Sequence, residues 1–80
     1  MHELLQNIES IHTTSMGIDR IKKNLKLADI DAVKYCKEII LNPNAYILRE
    51  GKNWYVKLND TVLTINAYSY TIITAHLLKE

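Results

Sequence analysis

The groups best suited to chemistry in this 80-residue chain gather in its last third. The runs Trp54-Tyr-Val-Lys-Leu-Asn and Val62-Leu-Thr-Ile-Asn-Ala-Tyr-Ser-Tyr-Thr-Ile-Ile-Thr-Ala-His76 alternate apolar and polar residues. Side chains two apart on a strand share a face, so one parity collects Tyr55, Lys57, Thr64, Asn66, Thr74 and His76. Metal-independent RNA cleavage needs a base for the 2′-hydroxyl proton, an acid for the leaving 5′ oxygen, and donors or a cation to hold the phosphorane charge. His76 as the proton-transfer group, with Thr74 and Lys57 or Arg49 at the phosphate, supplies those types. A histidine bonded to Thr64 or to solvent fits the same spacing. His12, beyond the first apolar period, is either a capping group or a second catalytic histidine.

Two further sets fit binding. Arg20, Lys22, Lys23 and Lys26 place four cations in seven residues with no acid between them, a pattern that steers a phosphate backbone and equally marks a solvated helix face. Tyr55, Tyr68 and Tyr70 could stack bases or serve as cross-strand fillers. Tyr and Arg also favour the centres of protein interfaces. Trp54 falls in the apolar parity and belongs to the core. There is no glycine-rich phosphate loop, and no His, Cys, Asp and Glu spacing suits a metal. Nucleotide hydrolysis and metal catalysis find no support, and no cofactor is expected.

Composition sets the frame for these groups. Ten Lys and Arg against nine Asp and Glu give a net charge of +1, so any affinity for nucleic acid must come from local clusters. An apolar fraction of 48% with only two Gly and one Pro describes one packed domain over residues 1–80, folding alone or as a homodimer, rather than a disordered chain. The single Cys36 has no disulfide partner and sits on an apolar helix face, which fits a reducing, cytoplasmic setting. No apolar run reaches the roughly 20 residues that span a bilayer. The N-terminus reads as a polar-interrupted helix rather than a signal peptide.

The elements that must position the chemistry follow from periodicity. Leu4, Leu5, Ile8 and Ile11 predict an amphipathic helix over 3–11. Thr13, Thr14 and Ser15 offer caps for a second, from about Met16 to Asn24, burying Ile18, Ile21 and Leu25. Asp29 reads as the cap of a third, from Ile30 to Leu41, with Val33, Cys36, Ile39 and Ile40 inward. Asn42-Pro43-Asn44 ends it. Strands are then predicted over 45–49, 53–58, 62–66 and 70–78, with turns at Glu50-Gly51-Lys52 and Asn59-Asp60. Ala67-Tyr68-Ser69 is either a hairpin connection or a bulge.

Helices over 1–44 followed by strands over 45–80 mean an α+β fold, about three N-terminal helices packed on one face of a four-stranded antiparallel β-meander. Parity assigns Trp54, Val56, Leu58, Leu63, Ile65, Ile73, Ala75 and Leu77 to the covered face. Ile72 joins Tyr55, Lys57, Thr64, Asn66, Thr74 and His76 on the other, provided that no bulge intervenes near Tyr68.

His12-Thr-Thr-Ser-Met-Gly-Ile-Asp-Arg-Ile-Lys-Lys-Asn-Leu, Cys36-Lys, Gly51-Lys-Asn-Trp-Tyr-Val and the run from Thr64 to His76 resemble a family of short bacterial and mobile-element proteins known as a domain of unknown function. The resemblance spans nearly the whole chain and carries no activity with it. More loosely, helices before a meander ending in Thr-Ile-Ile-Thr-Ala-His resemble the barnase, EndoU, ribonuclease-colicin and RelE group. That likeness implies a toxin-type, metal-independent endoribonuclease acting on cellular RNA through Thr74 and His76, with Lys57 and Arg49 as cations. The rival expectation is a protein-binding module, such as a mobile-element inhibitor of a nuclease or defence protein. Its partner would be a protein, an antitoxin or a target nuclease, rather than RNA.

Overall fold

The computed structural model describes residues 3–28 and 30–78. The first helical stretch is two short pieces, α1 (Glu3–Gln6) and a 3₁₀ turn (Ile8–Ser10). They divide at Asn7, whose side-chain amide turns back to the Glu3 carbonyl at 2.9 Å. Helix α2 (Ser15–Leu25) is capped by the Thr14 hydroxyl, which accepts from the Gly17 N–H at 3.0 Å. It ends on Lys26 in the left-handed conformation, φ 57°, burying Ile21 and Leu25. Helix α3 (Ala32–Leu41) is capped by Asp31, which accepts from the Lys34 N–H at 3.1 Å. The cap expected at Asp29 lies outside the described residues.

The strands are β1 (Tyr46–Glu50), β2 (Asn53–Leu58), β3 (Thr61–Asn66) and β4 (Ile72–Leu77), antiparallel in spatial order 1-2-3-4. The α+β reading therefore holds: N-terminal helices on a four-stranded meander. Two-residue connections join β1 to β2 and β2 to β3, with Gly51 at φ 60° and Asn59 at φ 56° supplying the positive dihedrals such turns need. Directly opposed residues share a face, and Trp54↔Ile65, Val56↔Leu63 and Leu63↔Ala75 are all buried pairs. Together with Leu4, Ile11, Ile21, Cys36 and Ile40 they form one core beneath the helices.

The last strand departs from simple alternation. Thr64 opposes Thr74 while Ile65 opposes Ile72, so Ile73 bulges out of the ladder. Ile72 is consequently buried and Ile73 is 43% exposed, the reverse of the parity assignment. One extra residue flips every side chain on one side of it. Thr74, Ala75 and His76 lie beyond the bulge and keep their expected faces.

The segment 67–71 is a hairpin connection organised by Asn66. Its side-chain oxygen accepts the backbone N–H groups of Tyr68 and Ser69, both at 2.9 Å. Tyr70 closes the loop at φ 58°, with its N–H on the Asn66 carbonyl at 2.9 Å.

Candidate functional site

Three rows cross the open face of the sheet. Tyr46, Lys57, Val62 and His76 oppose one another in sequence from β1 to β4; Leu48, Tyr55, Thr64 and Thr74 form the next row; Glu50, Asn53 and Asn66 form the third. The structure thus brings Tyr55, Lys57, Thr64, Thr74 and His76 to one surface. Within it, Lys57 stands two strand spacings from His76, about 10 Å at the backbone. Thr74 shares the strand and face of His76, and no hydrogen bond joins the two among the described residues. Thr64 is 9% exposed in the middle of the surface. Asn66 is committed to the loop it organises.

His76 meets a group that its own sheet does not supply. Helix α2 runs beside β4, and the Asn24 side-chain amide donates to the Ala75 carbonyl at 3.0 Å. This docks the C-terminal turn of α2 next to His76. A recess of about 270 Å³ opens there, lined by Lys23, Asn24, Lys26, His76 and Leu77. Lys22 and Lys23 occupy the last turn of α2 and Lys26 its C-cap, where cations offset the negative end of the helix dipole. Arg20 lies one turn back from Lys23, is exposed, and does not line the recess. A larger recess of about 330 Å³ lies along α3, lined by Ile30, Asp31, Lys34, Tyr35 and Glu38. None of the candidate residues is in it.

His12 is held at the opposite end of β4. Its N–H donates to the Tyr70 carbonyl at 3.1 Å, and its carbonyl accepts the Ile72 N–H at 2.7 Å, a parallel bridge to Thr71. The imidazole lies between the Ser10 carbonyl at 2.8 Å and the Thr71 hydroxyl at 3.1 Å. A carbonyl only accepts, so Nδ1 carries the proton, and in the neutral ring Nε2 accepts from Thr71. Thr71 and Ser69 share a further bond at 2.8 Å. Thr71 and His76 are five positions apart with a bulge between them, about 13–16 Å, so the two histidines do not face a single phosphate. His12 acts as a staple between the N-terminal segment and β4.

Arg49 opposes Trp54 and lies on the helix side of the sheet, away from His76. Its guanidinium sits 5.5 Å from the Trp54 ring centre and 5.8 Å from that of Tyr68, and its Nε donates to the Gly51 carbonyl at 3.0 Å. Tyr70 packs on Trp54 with centroids 5.4 Å apart. Tyr68 and Tyr70 therefore belong to this end of the molecule, whereas Tyr55 is half-buried on the open face.

The pattern from Leu5 to His76 is that of a known family, whose model matches residues 5–76. The chain belongs to the DUF3781 family. Its description is "protein of unknown function", so membership carries the fold from one member to another and leaves the chemistry to be argued from the site. No curated protein and no solved structure matches the chain. Among the described residues no group of three or more His, Cys, Asp or Glu stands together as metal ligands, and no helix is long and apolar enough to cross a membrane.

Cys36 faces the core from α3 and is fully buried. Desolvation pushes its thiol up to about 12, which suppresses the nucleophilic thiolate. The recess at His76 could not have been assembled from local spacing, since Lys23 and His76 are 53 positions apart. The signal available in the sequence was the basic cluster alone.

Proposed function

We propose that this protein acts on RNA as a metal-independent endoribonuclease of toxin type, with the recess between α2 and β4 as its centre. The observation that carries the reading is the convergence of His76 with Lys23 and Lys26 on one opening. In this scheme His76 takes the 2′-hydroxyl proton as that oxygen attacks phosphorus. The bond from phosphorus to the 5′ oxygen breaks, the leaving oxygen is protonated by the imidazolium or by water, and a 2′,3′-cyclic phosphate results. Lys23 and Lys26 hold the non-bridging oxygens as charge accumulates. Lys57, in the cross-strand row of His76, offers its ammonium to the phosphate from the open face. Thr74, on the same face, contributes a hydroxyl, and Arg20 and Lys22 extend the positive surface for the backbone.

The test is incubation of the protein with total RNA and a tRNA pool in EDTA. The expected products end in 2′,3′-cyclic phosphate, and His76→Ala lowers the rate by about 10²- to 10⁴-fold. Because His76 is exposed, the same variant keeps its stability within about 0.5 kcal/mol. Replacing Lys23 and Lys26 with Gln lowers RNA affinity and reduces the dependence of log K on log salt by about 0.7 for each phosphate no longer neutralised. A fully active His76→Ala protein overturns the assignment.

A second reading rests on a different observation. Tyr46 and Leu48 are exposed on the open face beside Tyr55, a combination suited to a protein partner such as a nuclease or an antitoxin. Intact RNA with folded protein, together with partner capture that Tyr46→Ala and Tyr55→Ala weaken, favours that reading.

A further inference from the structure

The two edges of the sheet are built differently. Along β4, the His12 backbone pairs with Tyr70 and Ile72, the Thr13 hydroxyl donates to the Ile72 carbonyl at 3.0 Å, and Asn24 donates to the Ala75 carbonyl. The bulge at Ile73 interrupts the ladder. Cover and bulges of this kind blunt an edge against pairing with another chain. The edge at β1, Tyr-Ile-Leu-Arg-Glu, has no proline, no lysine and no bulge, and among the described residues no segment pairs with its outer side.

Hydrogen-bond alternation fixes what that edge presents. The connection Gly51-Lys52 makes Glu50 and Asn53 the closing hydrogen-bonded pair. Leu48 and Tyr46 then also bond inward to β2, and the N–H and C=O groups of Ile47 and Arg49 face outward.

We propose that a second copy of this chain pairs antiparallel along β1, about a two-fold axis at Leu48, joining the two sheets into one of eight strands. The axis follows from the outward groups. Centred on Leu48, each Ile47 meets the partner's Arg49, and all four outward groups of each copy gain a partner. An axis at Ile47 would set Arg49 against the partner's Ala45, yet the Ala45 N–H is already engaged by the Asn42 carbonyl at 3.0 Å. An axis at Arg49 would oppose two guanidinium groups.

Side chains agree with the same register. On the open face Leu48, 43% exposed, meets the partner's Leu48, and Tyr46, 63% exposed, stands opposite the partner's Glu50. Lys57 follows Tyr46 in its row, so each side of the junction brings a cation towards the partner's carboxylate. A C₂ contact needs this self-complementarity. The inference is independent of what the recess at His76 does.

Sedimentation velocity on the full chain across a range of concentrations tests it. The expected result is a doubling of mass as concentration rises, abolished by Leu48→Lys, which sets two ammonium groups on the axis while leaving the core untouched. Register is read by mild oxidation. Leu48→Cys pairs with itself across a non-hydrogen-bonded site, where Cα atoms lie about 4.5 Å apart, within disulfide reach. Tyr46→Cys does so no faster than the wild type. A wild type that stays monomeric, a dimer indifferent to Leu48→Lys, or cross-linking of Tyr46→Cys as fast as Leu48→Cys each overturns the proposal.

Discussion

Gly17 lies directly against the side chain of Thr13, so closely that a Cβ built on the glycine would overlap the threonine Oγ1. That hydroxyl is held in place by its bond to the Ile72 carbonyl at 3.0 Å. The contact sets the approach of the first turn of α2 to the edge of β4.

Gly17→Ala is therefore expected to destabilise the protein by about 1–3 kcal/mol, although alanine in an open helix position gains about 1 kcal/mol over glycine. Urea unfolding checks the sign. Combining it with Thr13→Ala removes the overlapping atom, and the double variant should be destabilised by less than the sum of the two single changes.

Asn24→Ala leaves the Ala75 carbonyl without its donor in a half-buried place. The expected cost is about 1–3 kcal/mol, visible as a lower urea midpoint at unchanged slope. Asn24→Asp should cost more, since a carboxylate cannot donate to a carbonyl. Either change loosens the wall of the recess at His76, so RNA cleavage should fall with Asn24→Ala even in conditions where the protein remains folded.

His12→Ala removes the bonds to Ser10 and Thr71 and is expected to cost about 1 kcal/mol. Hydrogen exchange at the Ile72 amide, bonded to the His12 carbonyl, should accelerate. Cleavage of RNA should persist under conditions where the variant is folded, because His12 and His76 occupy opposite ends of β4. Loss of cleavage in folded His12→Ala would restore it as a second catalytic group.

Burial pushes the Cys36 thiol from 9.0 up to about 12. The native protein should resist alkylation near pH 8 and react only on unfolding. The sign of the linkage follows. Between pH 9 and 12 the unfolded chain has lost the thiol proton that the folded chain keeps, so stability falls as pH rises through that window and is insensitive to this group below it. Cys36→Ala should abolish this contribution to the alkaline slope of a thermal-denaturation series, at the cost of a cavity in the core.

Much of this architecture was legible residue by residue. The strand period in Trp54 to Leu58 follows from alternation. The end of α3 follows from Pro43, and the turn at Asn59-Asp60 from residues that tolerate its dihedrals. The break in the first helical stretch was not, because Leu4, Leu5, Ile8 and Ile11 keep helical spacing across Asn7. The bulge at Ile73 was hidden for a related reason: Ile72 and Ile73 are chemically alike, and nothing in their order says which turns inward.

Parity, caps and breakers act over a few residues, so the chain alone determined the order of elements and the covered face of β2 and β3. Tertiary structure decided the rest. Docking of α2 along β4 carried Lys23 and Lys26 to His76, pairing of His12 with Thr71 kept the histidines apart, and the register of β1 on β2 turned Arg49 towards Trp54 and left the edge of β1 open. Those relations join residues dozens of positions apart, and packing of the shared core, which no local pattern encodes, selects them.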